Sequence, residues 1–257
     1  MQDKIIILDF GSQYTQLIAR RIRELEVYCE VLPYFNSGEI GPEVKGIILS
    51  GSPKSVREES PIGPNLNWLT SGIPILGICY GAQWLAQHFG GIVSASHVRE
   101  YGRATMKLPG RSRLFEGIPE SSPVWMSHSD SISALPPGFA ITATTETIPV
   151  AAFAHHEKPV FGVQFHPEVV HTEHGKQLLA NFALHICKAK ADWTPAHFIN
   201  DSIQKIRNQV KNENVVLGLS GGVDSSVAAL LLHEAICKQL FCIFVDNGLL
   251  RKNEYKE

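Results

Sequence analysis

A cysteine stands between two glycines in the stretch GICYGAQ, residues 77–83, where a short apolar run gives way to a helical pattern. Glycines at positions 77 and 81 permit a sharp strand-to-helix turn, which holds the side chain between them in an exposed and strained position. The first turn of the helix supplies unpaired N–H groups and a partial positive charge, which favour a thiolate and can hold a developing oxyanion. This spacing predicts that Cys79 is a nucleophile.

The alternative for a free cysteine is a place in the hydrophobic core, which is the usual environment of that residue. The flanking glycines argue against a core position for Cys79. The other four cysteines lie inside apolar runs that have no such glycines, and we predict core positions for Cys29, Cys187, Cys237 and Cys242.

A nucleophilic cysteine needs a base, and the base needs a group that orients it. The stretch VFGVQFHPEVVH supplies both, because His166 ends an apolar strand pattern and Glu168 follows two residues later. Residues i and i+2 of an extended segment point to the same side, so the carboxylate can hold the imidazole in position. We predict that His166 is the general acid and base and that Glu168 orients it.

Four other histidines suggest a metal site, since two are adjacent and two lie three residues apart: His155, His156, His171 and His174. No cysteine thiolates accompany them at the spacing of zinc ligands. The sequence therefore disfavours a zinc site at these positions.

A second stretch, VVLGLSGGVDSS, places Ser220, Gly221 and Gly222 between a buried strand and a helix that starts near Val223. Small residues let backbone N–H groups close around an anion, and the helix N-terminus adds its dipole. The stretch lacks the lysine of the motif G-x-x-x-x-G-K-[ST]. It predicts a phosphate-binding loop of a different type.

The elements that must position these residues alternate between strand and helix. KIIIL, residues 4–8, predicts a buried strand, and QYTQLIARRIRELEV has apolar residues at helical spacing. Further short apolar strands favour a parallel sheet covered on both faces, whereas residues 92–165 favour mixed or antiparallel strands. We predict an α/β fold with a mostly parallel open sheet flanked by helices over residues 1–189. Residues 190–257 are predicted to form part of a second α/β domain that is incomplete here.

Charge and composition narrow the classes of partner. A formal net charge of −2 excludes the strongly basic balance of proteins held to nucleic acid by phosphate neutralisation. No apolar run approaches the roughly 20 residues that cross a bilayer, and no signal peptide is visible. Five scattered cysteines fit a reducing compartment. We expect a cytoplasmic protein with neither nucleic acid nor membrane as partner.

GICYGAQ and FHPE, together with the upstream GIILSGSP, resemble the class I glutamine amidotransferase domain. The resemblance implies that Cys79 attacks the side-chain amide of glutamine, that His166 moves protons and that Glu168 orients His166. It implies an oxyanion hole made by backbone N–H groups of Gly51, Ser52 and Tyr80. The family usually has glycine at the position of Ser52, so this chain departs from the family pattern in that loop. Matches to glutamine-binding positions are Gln83, Ser127, His128, Ser129 and Asp130.

The S-G-G-x-D-S pattern is similar to the pyrophosphate loop of the N-type ATP pyrophosphatases. That resemblance implies that ATP and Mg²⁺ are bound, with Asp224 as the metal ligand. The residues implied for ATP are Ser220, Gly221, Gly222, Val223, Asp224, Ser225, Ser226 and Asp246.

The two motifs in this order, with WMSHSD and VDNGLLRKNE, resemble the GMP synthetase family along the whole chain. The resemblance implies that glutamine-derived ammonia aminates xanthosine monophosphate after ATP has activated it. It also implies that the xanthosine monophosphate site lies largely outside this chain and that the full-length protein forms a homodimer.

Three alternatives remain open from the sequence. A cysteine peptidase acting on γ-glutamyl bonds would share the turn around Cys79 but would not need SGGVDSS. An ammonia-supplying subunit of another synthase, such as that for anthranilate or carbamoyl phosphate, would resemble residues 1–189 alone. A non-catalytic regulatory fragment is the third, although intact Cys79, His166 and Glu168 argue against it.

Overall fold

The computed structural model describes residues 2–35, 40–64, 66–69 and 72–244, apart from the side chains of 66, 67 and 97–100. The chain divides into two compact units, Met1–Asp192 and Trp193–Glu257. No helix among the described residues is long and apolar enough to cross a membrane.

The described part of the first unit begins with alternating strands and helices and then becomes richer in strands. Its elements are β1 (Lys4–Asp9), α1 (Thr15–Arg23), β2 (Tyr28–Pro33), β3 (Val44–Leu49), α2 (Leu66–Leu69), β4 (Ile75–Ile78), α3 (Tyr80–His88), β5 (Ile92–Lys107), β6 (Ser121–Ala134), β7 (Phe139–Ala143), β8 (Ala152–His155), β9 (Val160–Val163) and α4 (Gly175–Ala180). A 3-10 turn, Arg113–Phe115, separates β5 from β6, and a π-helical turn, Asn181–Ile186, follows α4.

The central sheet has the strand order β2-β1-β3-β4-β9-β8-β7. Its first five strands are parallel, and β8 and β7 complete it as antiparallel strands. The carboxyl ends of β4 and β9 are adjacent, since Ile78 pairs with Val163. The residues that follow these two strands, Cys79 and His166, therefore emerge at one edge of the sheet.

Helices cover both faces of this sheet, as the strand sequences predict. Neighbouring residues of β1 belong to different hydrophobic clusters, because successive side chains of a strand point to opposite faces. Ile5 packs in the cluster that contains Ile18 of α1, and Ile6 packs in the cluster that contains Leu85 of α3. The predicted mostly parallel α/β sheet flanked by helices is confirmed.

Strands β5 and β6 form a separate antiparallel sheet. Within residues 92–165 the short apolar runs ATMKL and PVWMS indicate short strands, but they lie inside strands of 16 and 14 residues. Burial along β6 alternates over much of its length, but His128 and Asp130 occupy two of the buried positions. Polar residues on the covered face hide the period-2 pattern from a prediction based on hydrophobicity.

The apolar spacing of GKQLLANFALHIC, residues 175–187, indicates a single helix, but the winding of the helix changes in the structure. After Ala180 the chain adopts the π-helical turn, at the buried residue Asn181. The Asn181 side-chain amide donates hydrogen bonds to the carbonyl oxygens of Leu114 and Glu116, at 3.0 and 2.8 Å. The change of helical winding thus coincides with hydrogen bonds to a distant loop. The spacing of apolar residues along the helix does not predict these hydrogen bonds.

The described part of the second unit contains α5 (Pro195–Val210), β10 (Val215–Leu219), α6 (Val223–Ile236) and β11 (Leu240–Phe244). The two strands are parallel neighbours. The predicted core positions of Cys29 and Cys187 are confirmed, but those of Cys237 and Cys242 are wrong, because both are exposed. Few side chains of this unit are buried, so an apolar strand here does not imply a core.

Candidate active site

The backbone at Cys79 has φ 52° and ψ −106°, a conformation that costs free energy for a residue with a side chain. Hydrogen bonds hold it on both sides. The Cys79 N–H donates to Val163 O at 2.8 Å, and the Gly81 N–H donates to Ser50 O at 3.2 Å. The cysteine lies at the junction of β4 and α3, as the sequence predicts, but the expected exposure of its side chain is wrong. The residue is 7% exposed and belongs to a buried hydrophobic cluster, because β6 and the loops after β1 and β3 surround it.

Close backbone approaches explain both glycines of this turn. A Cβ at Gly77 would come within 2.6 Å of backbone atoms of Gly81 and Ala82. A Cβ at Gly81 would overlap the carbonyl oxygen of Leu49 on β3. Glycine at these positions lets α3 start directly against the sheet, which brings its N-terminus to Cys79.

His166 and Glu168 form a buried pair after β9. The His166 Nδ1 and Glu168 Oε1 atoms are 2.8 Å apart, and the two residues are 3% and 1% exposed. The structure therefore places the two predicted partners in contact. With Nδ1 occupied by the carboxylate, Nε2 is left to face the thiol.

The environment of His166 favours its protonated form. Burial lowers the pKa of the imidazole, but hydrogen bonding and charge from Cys79 and Glu168 outweigh it and raise the pKa well above 6.5. At two further buried cysteines, burial raises the pKa of Cys29 to about 11 and that of Cys187 well above its ordinary value. Among the described residues neither of those two thiols has a histidine–carboxylate pair beside it, so we expect both to be unreactive.

A pocket of about 230 Å³ opens at Cys79. Every residue that the sequence predicts for glutamine binding lines it, together with two of the predicted oxyanion residues. The lining is Ser52, Pro53, Lys54, Cys79, Tyr80, Gln83, Tyr101, Ser127, His128, Ser129 and Asp130.

His128 is buried in the wall of this pocket. Among the described residues no partner of either ring nitrogen meets strict hydrogen-bond geometry, although the backbone of Asp130 lies close enough to the ring to favour its charged form. Burial lowers the pKa of His128 to about 4, so the ring is neutral near pH 7. A neutral imidazole offers one donor and one acceptor, which suits the side-chain amide of a ligand.

Asp130 is engaged by the protein itself. Its carboxylate pairs with the Arg57 guanidinium at 3.1 Å and accepts a short hydrogen bond from the Ser55 hydroxyl. Its backbone carbonyl accepts a hydrogen bond from Gln83 Nε2 at 2.7 Å. These contacts connect the loop that follows Gly51 to β6, an anchoring role that the sequence did not indicate because the partners are 73 to 75 residues apart.

A second pocket, of about 250 Å³, reaches Cys79 from the side of His166. Its walls include Gly11, Ser12 and Tyr14 from the loop after β1, and Gly51 from the loop after β3. The Tyr14 ring packs edge-on against the His166 ring, with centroids 5.0 Å apart. The cysteine is thus reached from two sides, one lined by the predicted glutamine residues and one by the predicted base.

The structure adds two residues that the sequence did not single out. Arg21 Nε on α1 donates to the carbonyl oxygen of Glu168 at 2.9 Å. Thr172, which is buried, bonds to the backbone of His166 and of Trp125. Their partners are backbone atoms of distant or irregular segments, so no sequence signal identifies these contacts.

In the second unit, the loop between β10 and α6 is organised by its own serines. The Ser225 hydroxyl donates to Gly222 O at 3.0 Å and lies 3.1 Å from the Ser220 hydroxyl. Gly221 has φ +76°, which favours glycine. Gly222 precedes the first residue of α6, Val223, so the helix N-terminus faces this loop as predicted.

Asp224 lies in the first turn of α6. In the described ranges no three His, Cys, Asp or Glu side chains cluster as a metal site. A single carboxylate is still compatible with Mg²⁺, which commonly takes one or two carboxylates and completes its shell with phosphate and water. Asp246 lies outside the described residues.

Comparison with known proteins gives two family matches. Residues 6–186 match the family model for class I glutamine amidotransferases. Residues 196–255 match the model for NAD synthase.

The chain is similar over its whole length to curated GMP synthases. It is 55% identical to the glutamine-hydrolysing GMP synthase of Cytophaga hutchinsonii over 100% of this chain and 51% of that protein. The corresponding enzyme of Caldicellulosiruptor saccharolyticus is 54% identical over 98% of this chain and 50% of that protein. The chain spans about half the length of the curated relatives it matches.

Solved structures agree with the fold. A Thermoplasma acidophilum protein described as one subunit of a candidate GMP synthase is 34% identical, with a TM-score of 0.64, and the match covers 80% of this chain and 98% of that one. A Thermotoga maritima glutamine amidotransferase is 19% identical, with a TM-score of 0.55 and 93% and 92% coverage, and shows likeness of fold alone.

Proposed function

Since this chain belongs to the class I glutamine amidotransferase family, we propose that its first unit hydrolyses glutamine to glutamate and ammonia with Cys79, His166 and Glu168. The observation that carries the proposal is the buried His166–Glu168 pair beside a cysteine held in a strained strand-to-helix turn. The arrangement supplies a nucleophile, a base and an orienting carboxylate.

The first half of the reaction forms a thioester. The Cys79 thiol gives its proton to His166 and its sulfur attacks the side-chain carbonyl carbon of glutamine. His166 then donates that proton to the departing nitrogen as the C–N bond breaks. Ammonia leaves and a γ-glutamyl thioester remains on Cys79. In the second half, His166 takes a proton from water as the water oxygen attacks the same carbon, and the C–S bond breaks to release glutamate.

Negative charge develops on the carbonyl oxygen in both halves. The N–H groups of Gly51, Ser52 and Tyr80 are the proposed donors. Ser52 and Tyr80 line the glutamine pocket, and Gly51 lines the second pocket at Cys79. Tyr80 also begins α3, where N–H groups lack intrahelical partners. Asp130 supports this hole indirectly through Ser55 and Arg57.

The glutamine pocket offers polar groups for substrate recognition. His128 contributes a buried, neutral ring to the wall of the pocket, and Gln83, Ser127 and Ser129 line the same wall. Asp130 belongs to the proposed glutamine-binding set in a supporting role. Its carboxylate orders the wall, because it is already paired with Arg57.

For the second unit we propose that Ser220–Ser226 binds the phosphates of ATP together with Mg²⁺ held by Asp224. Bound Mg·ATP would supply the activation of an acceptor oxygen. The similarity to GMP synthases supports xanthosine monophosphate as that acceptor and GMP as the product. The serine hydroxyls and the N-terminus of α6 support the phosphate assignment.

The test of the glutaminase proposal is Cys79→Ala, with Cys242→Ala as the matched control because Cys242 is an exposed thiol in the other unit. We expect Cys79→Ala to abolish both ammonia release from glutamine and labelling by a γ-glutamyl diazoketone, while circular dichroism stays unchanged. Cys242→Ala should retain both activities. Ammonia release by the Cys79→Ala protein would overturn the assignment.

A further inference from the structure

Thr172 closes a ring of hydrogen bonds around the backbone of the proposed base. Its hydroxyl donates to the carbonyl oxygen of His166 at 2.6 Å and accepts from the N–H of Trp125 at 3.0 Å. The N–H of His166 in turn donates to the carbonyl oxygen of Trp125 at 3.0 Å. The backbone N–H and C=O groups of His166 are therefore both hydrogen-bonded, the first to Trp125 and the second to Thr172, and these two partners are bonded to each other.

The strand at the other side of this ring is β6, which also reaches the proposed nucleophile. Two residues beyond Trp125, the carbonyl oxygen of Ser127 lies 3.8 Å from the Cys79 sulfur. The same stretch of β6 therefore contacts both Cys79 and the backbone of His166. A displacement of His166 along this strand would change the distance between the imidazole and the sulfur.

We infer that Thr172 is a positioning residue of the glutaminase reaction, which sets the placement of His166 relative to Cys79 by tying its carbonyl group to β6. The inference rests on the proposed function. Thr172 is 5% exposed and lies outside both pockets at Cys79, so it acts through His166 and does not contact the substrate.

Two features set this contact apart from an ordinary buried threonine. The hydroxyl uses both its donor and its acceptor capacity on backbone groups, which fixes its rotamer. The adjacent residue, His171, packs its ring against the Trp125 ring at a tilt of 33°, with centroids 4.4 Å apart, so the segment after Glu168 meets β6 at two successive residues.

The test compares Thr172→Val, which keeps the shape but removes the hydroxyl, with Thr172→Ser, which keeps the hydroxyl. Thr145→Val is the matched control, because the buried Thr145 hydroxyl also accepts a backbone hydrogen bond, from Ile148 N–H at 3.0 Å, away from the site. Assays use the whole chain and measure kcat, KM for glutamine, the pH profile of kcat/KM and thermal unfolding.

We expect Thr172→Val to lower kcat by about tenfold to a hundredfold, as misplacement of a catalytic group does, with KM changed less than about twofold. The alkaline limb of the profile should move to lower pH, because a displaced imidazole loses the contacts that favour its protonated form. The groups that face His166 are Cys79, Glu168, the Tyr14 ring and His128. Thr172→Ser should restore kcat and the profile.

Three outcomes would overturn the inference: unchanged kcat and pH profile in Thr172→Val, an equal loss in Thr145→Val, or no rescue in Thr172→Ser. Failure of the proposed function gives a different pattern, since the Cys79→Ala protein would then still release ammonia. Diazoketone labelling of Thr172→Val checks that the thiol is present and reachable, and slower labelling with unchanged unfolding temperature supports a positioning role.

Discussion

The His166 imidazole is the residue whose protonation most directly controls the proposed chemistry. Its pKa is raised because Cys79 and Glu168 outweigh the effect of burial. A raised pKa also makes a contribution to stability. That contribution is fully present below the unfolded value of about 6.5 and is lost as pH rises through the folded pKa.

Glu168→Gln should lower kcat and move the alkaline limb of kcat/KM to lower pH. The amide keeps a hydrogen-bonding group beside Nδ1 but removes the negative charge that helps to raise the pKa of His166. The loss should be smaller than in Cys79→Ala, because an orienting group forms no bond to the substrate.

The pH dependence of initial rates checks this expectation, with Glu173→Gln as the control, since Glu173 is an exposed carboxylate close in sequence. An alkaline limb at the same pH in both variants would contradict the role given to Glu168.

At the scale of elements, the segment that carries the base is fixed where α4 begins. A Cβ at Gly175 would overlap the carbonyl oxygen of Pro167, the residue between His166 and Glu168. Pro167 cannot move away without moving its two neighbours. The start of α4 therefore controls the shape of the His-Pro-Glu segment.

Gly175→Ala should destabilise the fold by about 1–3 kcal/mol, as overpacking does, and should lower kcat through displacement of His166. Gly110→Ala is the control, because a Cβ at Gly110 meets no atom within 4 Å and its φ is not positive. Chemical denaturation and glutaminase rates measure the two effects. Wild-type stability and activity in Gly175→Ala would show that the segment can shift freely.

Sequence reasoning located the residues whose local pattern is itself the signal. Cys79 is marked by its glycines, and His166 and Glu168 by their spacing at a strand end. Arg21 and Thr172 give no such signal, because they bind backbone carbonyl groups that any donor side chain could reach. The exposure of Cys242 was missed for a related reason, since an apolar strand is buried only where other elements cover it.

At the scale of the whole molecule, the proposed glutaminase residues all lie in the first unit and the proposed phosphate loop lies in the second. The two activities should therefore respond separately to substitution. Asp224→Ala should weaken magnesium-dependent ATP binding and leave basal glutamine hydrolysis unchanged. Cys79→Ala should abolish glutamine hydrolysis and leave ATP binding unchanged.

Titration calorimetry with Mg·ATP measures ATP binding, and an ammonia assay measures glutamine hydrolysis. Asp201→Ala serves as the control because Asp201 is an exposed carboxylate on α5. ATP binding that is identical in Asp224→Ala and the unaltered chain would contradict the loop assignment.

The placement of both units on one polypeptide has a consequence for how a cell uses its nitrogen. Each copy made by the ribosome brings one unit of proposed glutaminase activity together with one unit that carries the proposed phosphate loop. The Thermoplasma acidophilum protein, which this chain covers almost completely, is described as one subunit. Separately encoded units require matched expression, because surplus glutaminase would release ammonia with no acceptor. A fused gene fixes the ratio of the two units at translation.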